Sequence, residues 1–159
     1  MFSLTTLFGC AQKKVGSGAY NMTLKALLSH SVPEVEVKDI SDTSDVFFLD
    51  SRAKAEFEVS HIKGAKWVGY DDFDLARVSE VPKDKKIVVY CSVGFRSEKI
   101  SEKLIADGFT NVSNLYGGIF EWKNQDKPVF VDSIETDSVH AFDKTWGIWL
   151  KKGEKVYNK

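Results

Sequence analysis

Lys86-Ile87-Val88-Val89-Tyr90-Cys91-Ser92-Val93-Gly94-Phe95-Arg96-Ser97 joins two different kinds of sequence. Lys86 to Tyr90 is β-branched and apolar, follows the turn signal Pro82-Lys83-Asp84, and reads as a buried strand. Ser97 to Asp107 has helical period. Ile100, Leu104 and Ile105 form its apolar face, Glu98, Lys99, Glu102 and Lys103 its polar face, and Gly108 stands at the C-terminal cap. Between strand and helix lies a short loop that begins with a cysteine. In an open α/β sheet, ligands bind outside the carboxyl ends of the strands, and Cys91 stands at such an end. A tight strand-to-helix turn aims successive backbone N–H groups inward. The helix N-terminus adds its dipole, Arg96 adds a full charge, and Gly94 lets the backbone curl. Together these features favour the thiolate of Cys91, a nucleophile for sulfur or phosphorus centres. The plain alternative is a small buried hydrophobe at a strand end.

Outward from this loop the pattern alternates. Met22 to Leu28 is helical, Glu34 to Val37 alternates like a strand, and Val46 to Leu49 is an apolar run ending in Asp50. Ala53 to Val59 reads as a helical turn or two, Ala65 to Val68 as a short strand, and Asp71 to Val78 as a short helix and loop. Asn111 to Leu115 is a further strand, and Gly117-Gly118 opens a helix through Trp122 and Lys123. Alternation of this kind predicts an α/β domain: an open, mostly parallel sheet of about five strands, with helices on both faces. Residues 131–159 are less legible. Trp146, Ile148, Trp149 and Leu150 must cover something apolar, and Gly153 suits either a helix end or a hairpin.

The 159 residues carry 22 Lys and Arg against 23 Asp and Glu, for a net charge of -1. That balance offers no electrostatic reason to bind nucleic acid. At 43% hydrophobic and 28% charged, the chain has the makings of one globular domain and not of a disordered segment. Two cysteines, Cys10 and Cys91, exclude a disulfide scaffold and a zinc ribbon, and no metal or cofactor is expected.

The ordered blocks resemble a single-domain rhodanese from about Met22 to Val129. Leu49-Asp50-Ser51-Arg52 with Glu56 is similar to the family's first block, and His61-Ile62-Lys63-Gly64-Ala65 to its second, with Ser60 where glycine is common. Val89 through Ser97 resembles the active loop. Gly108-Phe109, Asn111-Val112, Leu115-Tyr116-Gly117-Gly118 and Trp122 resemble the closing blocks. The resemblance implies a sulfurtransferase. Cys91 would take the outer sulfur of a donor such as thiosulfate as a persulfide and pass it to cyanide or to a thiol, a protein thiol included. Ser92, Val93, Gly94, Phe95 and Arg96 would cradle the persulfide, Arg96 would also hold the donor's sulfonate, and Ser97 would cap the helix or donate to the sulfur. Cell-cycle phosphatases of related form use a loop one residue longer, so six residues from Cys91 to Arg96 favour sulfur.

Several residues allow two readings. Asp50 and Arg52 are expected to be a fold-holding ion pair, with catalysis as the alternative. Glu56 reads as a solvated helix residue or as the partner of Arg52. His61 reads as a scaffold residue, His140 as a surface one, and Trp146 and Trp149 as core cover. Phe95 could stand exposed at the pocket or pack beneath the loop. Two further functions stay open. One is a persulfide carrier with poor turnover of small donors; the other is a redox protein in which Cys10 resolves Cys91.

The first 20 residues differ in character from the rest. Met1 to Cys10 is apolar and uncharged, and a polar, Gly/Ser-containing tether follows, so 1–20 is expected to be a targeting segment and flexible linker, 21–130 the domain and 131–159 an extension packed on it. Leu7-Phe8-Gly9-Cys10 resembles a bacterial lipoprotein processing box, in which Cys10 would carry lipid. That reading implies an envelope or periplasmic location on a lipid anchor; an unprocessed chain would be cytoplasmic, with Cys10 incidental.

Overall fold

The computed structural model describes residues 12–158, so Cys10 and its processing box lie outside the described residues. Five strands form one parallel sheet: β1 (Glu34–Val35), β2 (Phe47–Asp50), β3 (Lys66–Trp67), β4 (Ile87–Tyr90) and β5 (Val112–Leu115). Their order is β1-β5-β4-β2-β3, which puts β4 at the centre. Among the described residues four α-helices accompany them: α1 (Gly18–Leu27), α2 (Lys54–Val59), α3 (Phe95–Ala106) and α4 (Gly118–Asn124).

The period of two in the central strands sorts the core into two layers. Phe48, Val88 and Tyr90 face a cluster made with Tyr20 and Leu24 of α1 and Ile119 and Phe120 of α4. Leu49, Ile87 and Val89 face the other side, against Ile100 and Leu104 of α3 and Val78 of a short 3-10 turn. Apolar runs buried on both faces are what a parallel sheet requires.

Some boundaries differ from the sequence reading. The helix α3 begins at Phe95, two residues early, because the loop is tighter than a helix starting at Ser97 would allow. Within α3, Glu98 is buried rather than wet, since its carboxylate accepts the Ser29 and His30 N–H groups that follow α1. Ile105, expected inside, is exposed. The strand at Glu34 stops at Val35, because Val37 enters a 3-10 turn that buries its side chain.

The described part of the expected flexible linker is bound instead. The Lys14 N–H donates to Glu36 at 2.9 Å and the Gly16 N–H to Glu121 at 2.8 Å, while Val15 is buried. Ser17 then caps α1 by accepting from the Tyr20 N–H.

The C-terminal residues form two small sheets. Strands β6 (Val129–Val131) and β7 (Ile134–Thr136) make a hairpin, and β8 (Ser138–His140) pairs in parallel with β9 (Glu154–Val156). Val139, Ala141 and Leu150 are fully buried in the α1/α4 layer. Trp149 stacks on Tyr20 with ring centroids 5.2 Å apart.

Candidate active site

Cys91 follows the central strand directly, and its Sγ lies on the floor of a cavity of about 260 Å³. The sulfur accepts the Gly94 N–H at 3.1 Å. Gly94 is the N-cap of α3 with φ 126, a conformation that side chains avoid. Phe95, Arg96 and Ser97 follow as the first turn, whose N–H groups have no intrahelical acceptor.

Two supports outside the loop hold it in this shape. From one side, the start of α4 takes the loop's carbonyls: the Ile119 N–H donates to Cys91 O at 2.9 Å and the Phe120 N–H to Ser92 O at 3.2 Å. From the other, Asn114 of β5 donates through Nδ2 to Gly94 O at 2.9 Å and accepts the Ser97 hydroxyl through Oδ1 at 2.6 Å. The Ser97 hydroxyl also lies 3.5 Å from Cys91 Sγ, as a donor to it. With one hydrogen, Ser97 serves Asn114 or the sulfur at any moment.

Charge in the loop is also paired. Arg96 Nη1 donates to Glu56 Oε2 at 2.7 Å, and Nη2 donates to Glu56 Oε1 at 2.9 Å and to Ser92 Oγ at 3.0 Å. Ser92 Oγ also lies 3.1 Å from Glu56 Oε1. Glu56 is therefore neither solvated nor the hydrogen-bond partner of Arg52; it is a buried carboxylate 40 residues away that anchors the loop arginine. Burial alone would raise its pKa, but the Arg96 guanidinium, the Arg52 charge and the Ala53 N–H hold it at about 2.

Asp50 and Arg52 form a separate, fully buried pair beneath. Arg52 Nη2 donates to Asp50 Oδ2 and to Ser60 O, both at 2.6 Å. The Ile62 N–H donates to the Tyr90 hydroxyl, tying the second sequence block to β4. His61 stacks on Phe57 and shares Nδ1 with Phe57 O, as befits a scaffold residue. His140, by contrast, is no surface residue: it is buried because β8 packs against α2.

The cavity walls are Leu27, Val93, Phe95, Phe142 and Trp146, with Arg96 beside them. Phe95 stands 39% exposed, at the pocket and not beneath the loop. Among the described residues, no group of three or more His, Cys, Asp or Glu is placed to hold a metal ion, and no helix is long and apolar enough to cross a membrane. Sequence reasoning missed Glu56 and Asn114 behind the loop, and Leu27, Phe142 and Trp146 in the cavity wall, where Trp146 was expected only to cover the core. Asn114 left a signal, since asparagine is rare inside a buried strand. Glu56 left none beyond its place in a block.

A family model for the rhodanese-like domain matches residues 34–125, more than half of the chain. The chain is 40% identical over 92 residues to the tRNA uridine(34) hydroxylase of Photorhabdus laumondii, across 55% of this chain and 26% of that protein. It is 34% identical over 127 residues to the protein of the same name from Sodalis glossinidius, across 77% of this chain and 36% of that protein. The chain thus spans about a quarter to a third of the curated relatives it matches. Among solved structures, the rhodanese-like domain of an Anabaena protein is 25% identical, with a TM-score of 0.57 over 64% of this chain and 82% of that one.

Proposed function

The chain belongs to the rhodanese-like family, and from that premise we propose that it transfers sulfane sulfur through a persulfide on Cys91. The observation that carries this reading is the setting of Sγ. It lies at the end of the central strand, takes the Gly94 N–H at 3.1 Å, and belongs to a buried residue that lines the cavity. The thiolate attacks the outer sulfur of a donor such as thiosulfate. A new S–S bond forms, the donor's S–S bond breaks, and sulfite leaves with the electron pair. An acceptor thiolate or cyanide then attacks the bound outer sulfur, and the Cys91 thiolate leaves. Backbone N–H groups at the start of α3 stabilise negative charge on either sulfur.

The test is intact-protein mass after brief exposure to thiosulfate or to inorganic polysulfide, beside Cys91→Ser. One sulfur added to the wild type alone, and removed by cyanide or a thiol, is the expected result. A folded wild type that gains no sulfur from either donor overturns the reading.

The relatives' names give a second reading, hydroxylation of a tRNA uridine, and 40% identity over 92 residues favours it. It is a reading against the chain's balanced charge. Under it, tRNA incubated with the protein, dioxygen and a thiol reductant yields a uridine one oxygen heavier, the second oxygen leaving as water and the thiol as disulfide, while Cys91 gains no sulfur.

A further inference from the structure

Among the described residues, Arg96 is the one cation lining the Cys91 cavity, and its charge is already matched. Three of its N–H contacts go to Glu56 and Ser92 at 2.7 to 3.0 Å. The Phe142 ring lies over its Cζ, 5.1 Å from the ring centroid. Glu56 stays ionised, so the pair is neutral as a unit. The N-terminus of α3 still favours negative charge, and the Gly94 N–H at its cap is directed at Sγ, the atom that carries the charge of the thiolate. A donor or acceptor with further charges of its own would leave water for a cavity whose described residues offer it no unpaired cation. The remaining walls, Leu27, Phe95, Phe142 and Trp146, reward an apolar body instead.

Phe142 and Trp146 are held in place by devices of their own. Beyond β8, the buried Ala141 donates its N–H to Val156 O at 2.7 Å. Phe142 follows with φ 66, a left-handed conformation that a bulky residue keeps only when its surroundings insist. The support is His140, whose Nδ1 accepts the Phe142 N–H at 3.1 Å. Burial lowers the His140 pKa; Glu56 opposes this, and Arg52 and Arg96 reinforce it, so the ring stays neutral and Nδ1 keeps its lone pair. Asp143 accepts the Trp146 N–H at 2.8 Å and orients the turn carrying that indole. A strained aromatic residue, 43% exposed, serves no core, yet it covers an arginine at the mouth of the reactive cysteine.

We infer that the C-terminal extension, through Phe142 and Trp146, makes the Cys91 cavity select a sulfur carrier with an uncharged, apolar body, a neutral organic thiol and its persulfide, over small carriers with added negative charge. The inference rests on the persulfide chemistry proposed above. In the loading direction the Cys91 thiolate attacks the outer sulfur of R–S–S–H. The new bond to Cys91 forms, the old S–S bond breaks, and R–S⁻ departs with the pair while the hydrogen stays on the transferred sulfur. In the return direction a thiolate attacks that sulfur and Cys91 leaves. Nothing is oxidised or reduced overall.

The test loads Cys91 with inorganic polysulfide and follows its discharge by intact mass. One acceptor is phenylmethanethiol and the other is 2-mercaptoethanesulfonate. Each rate is divided by that thiol's rate with free cysteine persulfide, which removes intrinsic reactivity. The wild type is expected to favour phenylmethanethiol by about tenfold or more, the scale on which an apolar pocket discriminates. Phe142→Lys, at a half-exposed position, should shift the ratio toward the sulfonate by about tenfold, with an unchanged circular dichroism spectrum. Equal normalised rates on the wild type, or an unshifted ratio in folded Phe142→Lys, overturn the inference and leave the persulfide reading standing. A wild type that never loads removes both.

Discussion

Burial would raise the pKa of Glu56, yet Arg96, Arg52 and the Ala53 N–H bring it down to about 2. The carboxylate is thus an anion in the folded protein above about pH 2, and it offsets a guanidinium whose side chain is only 16% exposed. Removing one partner of such a pair leaves the other charge buried and uncompensated. Glu56→Gln should therefore lower the unfolding free energy by about 3 kcal/mol at neutral pH, read from urea titration. Changing Arg96 to Met in the same chain should recover part of that loss. The pH dependence has a definite sign. A carboxyl held low in the folded state contributes stability above its unfolded value of 4.5, and the contribution is lost as pH falls through about 2. The gap between wild type and Glu56→Gln should accordingly close over that range; a gap constant with pH would deny the ion pair its role. Cys91, Gly94 and Arg96 were legible because their residue types sit together in six positions of sequence. Glu56 was not, because its contact with Arg96 spans 40 residues and no local pattern encodes it.

The same contrast between local and distant causes governs the elements. Strands β2 and β4 were legible as apolar runs, and α3 as a period of 3.6, because burial on a face imposes those patterns. The pairing of β8 with β9 was not legible: two three-residue strands joined in parallel carry no local mark of each other. Between these extremes lies α4, whose two glycines announced a turn but not its purpose. A Cβ on Gly118 would stand 2.4 Å from Ser92 O and 2.5 Å from Cys91 O, and Gly118 has φ 60. The start of α4 presses on the back of the loop, and the N–H groups of Ile119 and Phe120 take its carbonyls. Gly118→Ala must push the two segments apart. It should cost about 3 kcal/mol from overpacking and the left-handed backbone. It should also slow sulfur transfer about 100-fold, since a loop displaced by an ångström misplaces the sulfur. Gly108→Ala is the control. Gly108 has φ 94 but nothing within 4 Å of the added carbon, so about 1 kcal/mol of strain and no change in transfer are expected. Equal slowing in both variants would mean that α4 does not shape the loop.

At the scale of the molecule, the question is whether residues beyond Val129 are an appendage or part of the fold. The family match ends at residue 125, which suggests an appendage. The core says otherwise. Val139, Ala141 and Leu150 are fully buried in the layer that holds Tyr20, Phe48 and Trp122. Asn124, the last residue of α4, accepts the Lys151 N–H and donates to Trp149 O, so a helix of the matched region ends on the extension. Each large buried apolar side chain contributes about 1.5 to 3 kcal/mol, and the surfaces that Val139 and Leu150 cover lose a similar shelter when they are removed. Losses of that size compete with a total stability of about 5 to 15 kcal/mol. A chain cut after Phe130 should therefore lose its cooperative urea transition and bind a hydrophobic dye, even though every residue of the active loop is present. Leu150→Ala, which keeps the chain whole, should cost about 2 to 5 kcal/mol and retain cooperativity. The two together separate the possibilities. An appendage predicts a truncated chain with the wild-type urea midpoint and a silent Leu150→Ala. A shared core predicts that both fall, and that the pocket walls at Phe142 and Trp146 owe their position to the same packing that holds the sheet.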